Sequence, residues 1–201
     1  MIYRNFFKRL LDIILSLLVM PFFAILCLVI VPAILLQDGG PVFYNADRLG
    51  KKGRVFRMFK FRSMFKNAPD IRLEDGSTYN AEDDPRVTPI GHLLRKTSLD
   101  EVPQVLNVLR GEMSFVGPRP DLPGQISLYS EEDKEKLNVL PGITGYSQAF
   151  YRNSIPWKER LKLDVFYARN LTFLLDVKIL MQTVATVIRR KDVYVKTPEQ
   201  I

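Results

Sequence analysis

The sequence predicts a mostly helical α+β fold, and three observations lead to this prediction. Residues 13–36 form an uncharged apolar segment of 24 residues. Two short aromatic segments, 42–44 and 55–61, flank a basic turn, as in a small β-hairpin. Two later segments, 157–170 and 173–188, carry apolar residues at helical spacing. We therefore expect a long apolar helix followed by a smaller mixed unit that ends in helices.

The positive charge of the chain is unevenly distributed. The net charge is +7, and eight basic residues lie between Arg48 and Lys66, a block that contains no acid. Such a block attracts phosphate groups, which could belong to nucleic acid, to anionic lipid or to a nucleotide substrate. The single cysteine, Cys27, excludes an intrachain disulfide and favours a reducing, cytoplasmic environment.

The apolar segment raises the question of a membrane. As one straight helix, residues 13–36 would measure about 36 Å, enough to cross a hydrocarbon core of about 30 Å. Pro21 lies near the middle and predicts a kink, because proline removes a backbone hydrogen bond and clashes with the preceding turn. Both flanks are basic, which favours keeping both ends on the cytoplasmic side. A kinked hairpin that enters and leaves one leaflet and a kinked bitopic span both remain open, so we treat 1–38 as a membrane unit and 39–201 as a separate domain.

The residues between the hairpin and the acid pair predict a basic strand, a loop and the start of a helix. Lys60 and Arg62 in the second strand either lie near a bound phosphate or belong to a solvated loop beside lipid headgroups. The polar, acid-rich stretch 70–84 is expected to be a mobile loop. A short helix is expected next, with Thr88 as its N-cap and Pro89 as its first residue. His92 is the only histidine, so a histidine metal cluster is excluded.

Two adjacent acids, Asp100 and Glu101, precede an apolar helical run at 102–109. Ser98 and Glu101 have the spacing of a capping box, and Pro103 is tolerated only in a first helical turn. The helix dipole would keep at least one carboxylate ionised and able to act as a nucleophile or metal ligand. The alternative is that both acids merely cap the helix.

Two tight loops follow. In the run Gly117-Pro118-Arg119-Pro120 the prolines restrict the backbone around one arginine, so its guanidinium would be presented stiffly to a phosphate. The alternative is a surface turn with an idle arginine. Residues 141–145 form the second loop.

The C-terminal third predicts helices that lie on another surface. Segment 157–170 has the pattern of an amphipathic helix with an aromatic residue, Trp157, at the level of lipid headgroups. Segment 173–188 is too short and too polar for a second span, and core packing explains it as well as membrane contact does. Residues 191–201 are expected to form a loose tail.

Seven motifs occur in this order between residues 40 and 180: G-P-V-F at 40–43, F-K-F-R-S-M at 59–64, D-P-R-V-T at 84–88, S-L-D-E-V-P-Q-V-L-N-V-L-R-G-E-M-S-F-V-G-P-R-P at 98–120, P-G-I-T-G at 141–145, L-D-V-F-Y-A-R-N at 163–170 and L-D-V-K-I-L at 175–180. Together they resemble the small monotopic phosphoglycosyl transferases of the bacterial sugar transferase family. Members of that group carry a helix-break-helix at the N-terminus, so the resemblance implies a re-entrant hairpin at the cytoplasmic face of the bacterial inner membrane.

The resemblance also implies an activity. Such enzymes move a sugar-1-phosphate from a UDP-sugar to polyprenol phosphate with release of UMP, the first membrane step of glycoconjugate synthesis. Asp100 would be the nucleophile, Glu101 would assist it, and both would be ligands of Mg²⁺. The expected substrate-binding residues are Lys60, Arg62, Arg48, Pro118, Arg119, Pro120 and Gln148. Downstream glycosyltransferases would be candidate partners, and nucleic acid would not be one.

The sequence departs from the pattern of this group at several positions. Met20 precedes Pro21 where serine is usual, and Ala46 replaces a glutamine. Leu140 replaces an arginine, and Tyr146-Ser147 replaces Trp-Ala before Gln148. Two other functions compete with the transferase: a membrane-anchored basic scaffold that binds nucleic acid, and a phosphohydrolase that passes the same aspartyl intermediate to water.

Overall fold

The computed structural model describes residues 2–71, 79, 81, 83–152 and 154–189. These residues form a mostly helical fold with small sheets, as predicted. Most of the predicted loop 70–84 and all of the predicted tail 191–201 lie outside the described residues. The helices are α1 (Lys8–Asp38), α2 (Pro89–Thr97), α3 (Val105–Arg110), α4 (Tyr146–Phe150), α5 (Trp157–Arg169) and α6 (Phe173–Arg189), and the strands are β1 (Phe43–Leu49), β2 (Val55–Phe61), β3 (Ser114–Val116) and β4 (Gly142–Thr144).

Helix α1 is continuous, and the predicted break at Pro21 does not divide it into two helices. Pro21 and Pro32 both lie inside α1. The fixed φ of proline is close to helical, although each proline removes one backbone hydrogen bond from the helix. By length and composition α1 could cross a membrane. Its buried residues share one face, polar in the first half and apolar in the second: Lys8, Asp12, Ser16, Phe23, Ile30 and Ile34. Re-entry of α1 into one leaflet stays a prediction.

Both ends of α1 are fastened to the rest of the chain. Nζ of Lys8 lies 2.5 Å from a carboxylate oxygen of Asp176 on α6. At the other end, Nη1 of Arg62 lies 3.2 Å from a carboxylate oxygen of Asp38. Between these ties, α1 contributes to a core cluster with Phe61, Leu94 and Val105.

The predicted β-hairpin is confirmed, with a first strand longer than expected. Strands β1 and β2 are antiparallel, and Tyr44 is opposite Lys60 while Ala46 is opposite Met58. Its basic turn places Lys52 in the left-handed region, at φ 59°. Because alternate residues of a strand share a face, Lys60 lies on the same side as buried Met58 and points toward the interior.

The predicted start of α2 is confirmed. Oγ1 of Thr88 accepts a hydrogen bond from the backbone N–H of Gly91 at 3.0 Å, and Pro89 is the first helical residue. Thr88 thereby satisfies one of the N–H groups that a helix start leaves without a partner.

The predicted capping box between Ser98 and Glu101 is wrong. Ser98 ends α2 in the left-handed region, at φ 58°, and makes no side-chain cap. The acids lie in a 3-10 turn, Leu99–Gln104, that leads into α3. The carboxylate of Glu101 bonds Lys60 instead of the backbone, and a charge-assisted bond of that kind is the stronger one.

A parallel pair of short strands, β3 and β4, was not predicted. It brings the two tight loops together, since Gly117 N–H donates to the Thr144 carbonyl at 2.8 Å and Gly142 N–H donates to the Pro118 carbonyl at 2.9 Å. A side chain at Gly117 would place its Cβ 2.4 Å from the carbonyl oxygen of Leu140, so the backbones can approach this closely only at glycine.

Helices α5 and α6 lie within one residue of their predicted bounds. The predicted headgroup position of Trp157 is wrong, because its ring is 6% exposed and packs with Tyr129 in a core cluster. Its indole N–H donates to Asp121. Helix α6 buries Ile179 and exposes an apolar face that consists of Phe173, Leu174, Met181, Val184 and Ile188.

Candidate active site

The acid pair, Asp100 and Glu101, lies in the 3-10 turn between α2 and α3. Asp100 is 9% exposed, and Glu101 is partly buried. Both acids occupy the first helical turn, as predicted, where backbone N–H groups without a helical partner favour negative charge. Pro103 lies inside this 3-10 turn, where its ring cannot donate a backbone hydrogen bond to the preceding turn.

Lys60 neutralises one acid more than the other. Its Nζ lies 2.6 Å from Oε1 of Glu101 but 4.0 Å from Oδ2 of Asp100. Arg119 adds a second cation on the same side, with Nη1 3.6 Å from the same oxygen of Glu101. Glu101 therefore has two cationic partners, whereas Lys60 is beyond hydrogen-bond distance of Asp100.

These contacts give the two carboxyl groups different properties. Burial raises the pKa of Asp100 to about 6, and the charge of Lys60 opposes this only in part. Burial also disfavours ionised Glu101, but Lys60 and Arg119 outweigh it and hold the pKa of that carboxyl well below its ordinary value. At neutral pH both groups are ionised, and Asp100 is a desolvated carboxylate suited to nucleophilic attack.

The loop that carries Arg119 is held by its backbone. Pro118 and Pro120 are buried, and Lys136 donates to the carbonyl oxygen of Arg119 at 3.1 Å. The side chain of Arg119 is 45% exposed and faces solvent beside Glu101. A fixed backbone with an accessible guanidinium is the arrangement that the flanking prolines predict.

Behind this loop lies a buried cluster of Lys136, Asp121 and Asp164. Nζ of Lys136 is 2.6 Å from Asp121 and 2.9 Å from Asp164. Together with the Arg119 carbonyl, these two carboxylates occupy all three donors of the ammonium group. The carboxylates also accept hydrogen bonds from Tyr129, Trp157 and Ser147. The cluster is thus well satisfied and fixes the Arg119 loop from behind.

Two arginines near the acid pair were missed. Arg95 on α2 donates to Oγ of Ser63 at 3.0 Å, and Arg152 donates to Oγ of Ser98 at 3.2 Å. The charges of both arginines favour the ionised forms of the acid pair. Arg95 lies only five residues before Asp100, a signal that sequence reasoning could have used. Arg152 lies 54 residues after Ser98, and no spacing rule links the two.

Arg62, a predicted substrate-binding residue, is turned toward the end of α1. Its side chain is 7% exposed and contacts the carboxylate of Asp38 and the carbonyl oxygen of Gly39. These contacts secure α1 to the hairpin. Substrate binding by Arg62 stays a prediction.

Arg48 and Gln148 are not brought into contact with the acid pair. Arg48 lies on the same face of the hairpin as Lys60 but toward the turn. The side-chain amide of Gln148 donates to the Ile143 carbonyl at 3.1 Å, and its buried Oε1 has no hydrogen-bond partner among the described residues. Both remain predicted substrate contacts.

The positions that depart from the family pattern can now be located. Ser147 donates to the buried carboxylate of Asp164 at 2.9 Å, which an alanine could not do. Ala46 is buried opposite Met58 in the hairpin. Nothing in the structure explains Met20 or Leu140.

The acid pair can supply only part of the ligand shell of a magnesium ion. Among the described residues, no group of three or more His, Cys, Asp or Glu side chains is arranged to hold a metal. Magnesium commonly binds through one or two carboxylates and completes its shell with water and substrate phosphates. The acid pair provides the two carboxylates, so the ion would be shared with a phosphate-bearing substrate.

Comparison with known proteins gives consistent matches. The family model described as bacterial sugar transferase matches residues 3–190. The uncharacterized sugar transferase EpsL of Bacillus subtilis is 40% identical over 90% of this chain and 87% of its own length. Undecaprenyl-phosphate galactose phosphotransferase of Salmonella typhimurium is 36% identical over 94% of this chain and 42% of its own length.

A third relative, from Aeromonas hydrophila, is named UDP-N-acetylgalactosamine-undecaprenyl-phosphate N-acetylgalactosaminephosphotransferase. It is 35% identical over 91% of this chain and 44% of its own length. The chain thus spans less than half of the Salmonella and Aeromonas proteins, but most of EpsL. The match of the family model over nearly the whole chain shows that this protein belongs to the bacterial sugar transferase family.

Proposed function

We propose that this protein transfers a sugar-1-phosphate from a UDP-sugar to polyprenol phosphate, in bacteria undecaprenyl phosphate, and releases UMP. The acceptor is supported by the names of the Salmonella and Aeromonas relatives, and the donor by the name of the latter. The reaction would be the first membrane step in the synthesis of an O-antigen, capsule, exopolysaccharide or glycoprotein glycan.

The asymmetry of the acid pair carries this proposal. Glu101 is neutralised by Lys60 at 2.6 Å and Arg119 at 3.6 Å, whereas Asp100 is buried with Lys60 at 4.0 Å. A carboxylate that serves only to form an ion pair would be expected to have a close cation and a lowered pKa. Asp100 instead has its lysine only at 4.0 Å and a raised pKa, which supports a role as the nucleophile.

The reaction would proceed in two displacements. A carboxylate oxygen of Asp100 attacks the phosphorus nearest the sugar, a P–O bond forms, and the P–O bond to UMP breaks. An oxygen of polyprenol phosphate then attacks the aspartyl phosphate, the bond to Asp100 breaks, and the free carboxylate is restored. Atoms and charge balance in each step, and water must be excluded between the steps.

The surrounding residues would assist both steps through charge. Arg119 and Lys60 are placed to bind phosphate oxygens beside Asp100, and Glu101 orients both cations. The acid pair would hold a magnesium ion, which supplies further neutralisation of the diphosphate when bound.

The proposed location is the cytoplasmic face of the inner membrane, with α1 re-entrant. Both ends of α1 are fastened to one body through Lys8 and Asp38, and this supports keeping both ends on the same side of the membrane. The outward face of the helix is apolar and suited to lipid. The body itself would rest on the membrane surface.

Cysteine labelling tests the re-entrant arrangement. In a Cys27→Ser background, Ile2→Cys and Lys52→Cys should both resist a membrane-impermeant thiol reagent added outside spheroplasts and react after permeabilisation. Pro21→Leu strengthens the helix at its midpoint and should increase the fraction that spans the bilayer. Labelling of residue 2 from outside, in the protein with Pro21 intact, would establish a bitopic span instead.

The activity is tested with labelled donors. The detergent-solubilised protein is incubated with a panel of radiolabelled UDP-sugars, polyprenol phosphate and magnesium. Label in the organic phase that requires polyprenol phosphate is the expected result. Free sugar phosphate released without the acceptor would identify a phosphohydrolase, and no conversion of any donor would oppose both.

A further inference from the structure

The side-chain amide of Asn107 hydrogen-bonds the backbone of β2 in the way that a neighbouring strand would. It lies on α3 and is fully buried. Its Oδ1 accepts a hydrogen bond from the backbone N–H of Phe59 at 2.9 Å, and its Nδ2 donates to the backbone carbonyl of Arg57 at 2.7 Å. Both groups point to the same edge of β2, because the backbone groups of residues i and i+2 in a strand project to one side.

Lys60 follows directly after the strand residues that Asn107 holds. Its Nζ reaches 2.6 Å from Glu101, and its side chain is only 16% exposed. Helix α3, which carries Asn107, begins where the acid turn ends. The amide of Asn107 therefore connects the element that carries the cation with the element that carries the acid pair.

We infer that Asn107 is a positioning residue that fixes the register of β2 against the acid turn and so holds Lys60 beside the acid pair. This inference rests on the proposed function, because its effect is measured in the release of UMP. Apolar packing of Met58 on Val108 also joins the two elements, but packing tolerates sliding, whereas paired hydrogen bonds to one N–H and one carbonyl do not.

The third hydrogen bond of Asn107 offers a matched control. Its Nδ2 also donates to Oε2 of Glu112 at 2.7 Å, a contact that involves neither β2 nor the acid pair. Glu112→Gln alters this partner of the amide and leaves both strand bonds in place. A role through Lys60 thus predicts that Glu112→Gln has little effect, while Asn107→Ala has a large one.

A double-mutant cycle tests the inference by the rate of UMP release in a single turnover. Lys60→Ala should lower this rate about ten- to a hundredfold, as expected for a lost charge-assisted contact. Asn107→Ala should lower it at least several-fold in the parent protein but less than twofold in the Lys60→Ala background. Glu112→Gln should stay within twofold of the parent.

The dependence on donor concentration provides a second readout that a purely structural role would not change. Lys60 is placed to bind phosphate oxygens beside the acid pair, so loss of its contact should raise the donor concentration that gives half of the maximal rate of UMP release. Asn107→Ala and Lys60→Ala should raise it by the same factor, and the double variant no further. Equal rate losses from Asn107→Ala in both backgrounds, with an unchanged donor dependence, would overturn the inference.

If Asn107→Ala does not fold, Asn107→Asp combined with Glu112→Gln keeps an acceptor for Phe59 and replaces the donor to Arg57 by a second acceptor, which breaks that bond to β2, while residue 112 can now donate to residue 107. The same cycle with Lys60→Ala then decides the question. A parent protein that releases no UMP from any donor would instead contradict the proposed function, so the two failures are distinguishable.

Discussion

Two clusters among the described residues each combine two carboxylates with one lysine, and they differ in how the lysine is shared. In the buried cluster, Lys136 lies within 2.9 Å of both carboxylates and uses its third donor on a backbone carbonyl. In the acid pair, Lys60 lies 2.6 Å from Glu101 but 4.0 Å from Asp100. We call the first set closed, because every donor of its lysine has a partner. We call the second set open, because its lysine lies beyond hydrogen-bond distance of Asp100.

The difference separates a structural role from the chemical role that we propose for the acid pair. A buried charge is tolerated when its partners satisfy it, as they do around Lys136. Asp100 keeps a desolvated carboxylate whose nearest lysine is 4.0 Å away, which is costly for the fold and, under the proposed function, would be useful for attack on phosphorus. The two sets meet at Arg119, whose backbone belongs to the closed set and whose guanidinium belongs to the open one.

Removing the open carboxylate should have the largest effect on activity. Asp100→Asn should lower transfer by roughly a thousandfold or more, because an amide is a poor nucleophile. The fold should not suffer, since a pKa raised to about 6 means that ionised Asp100 opposes folding above that pH. Asp47→Asn, at an exposed carboxylate in the hairpin, is the control for transfer and thermal unfolding. A large loss of stability in Asp100→Asn would mean that Asp100 belongs to the closed type.

Opening the closed set should show the opposite pattern. Lys136→Met leaves two buried carboxylates without their cation and should destabilise the protein by about 3–5 kcal/mol. Lys134→Met, which removes an exposed ion pair with Glu131, should change the free energy of unfolding by no measurable amount. Denaturant unfolding in detergent measures both. Equal stability of the two variants would show that the cluster is not structural.

The residue that joins the two sets should respond to geometry as well as charge. Arg119→Lys keeps the charge but loses the planar fork, and Arg119→Ala loses both, so transfer should fall about tenfold and a hundredfold respectively. Arg54→Ala, on the exposed hairpin turn, is the matched loss of an arginine. Steady-state transfer at several donor concentrations measures the effect, and unchanged rates in both variants would make Arg119 an idle surface residue.

The pH dependence should be the most gradual effect. Attack requires ionised Asp100, whose pKa is raised to about 6, so the rate of UMP release should fall about tenfold per pH unit below pH 6 and level off above it. Glu101 does not titrate in this range, because Lys60 and Arg119 lower its pKa. Single-turnover rates between pH 5 and 8 test this, and a flat profile would show that Asp100 ionises normally.

The sequence predicted the elements and the acid pair better than the contacts between them. Thr88 and Pro89 announced a helix start because capping is a local interaction. The left-handed Ser98 was not predicted, since the bond between Lys60 and Glu101 that competes with the capping box is formed across 41 residues. Trp157 has the composition of a headgroup anchor, yet Asp121 and Tyr129 fold over it. Partners far apart in sequence leave no periodic signal, and this explains why Arg152 was missed.

The covalent intermediate on Asp100 is the central claim, and single-turnover trapping tests it most directly. The protein is mixed with sugar-labelled UDP-sugar and magnesium, without polyprenol phosphate. The account predicts a burst of UMP of at most about one equivalent per enzyme, with label on the denatured protein that hydroxylamine releases. Asp100→Asn should show neither, and Glu101→Gln should retain some labelling. UMP release that requires the simultaneous presence of both substrates, with no labelled protein, would contradict the account and leave Asp100 as a metal ligand.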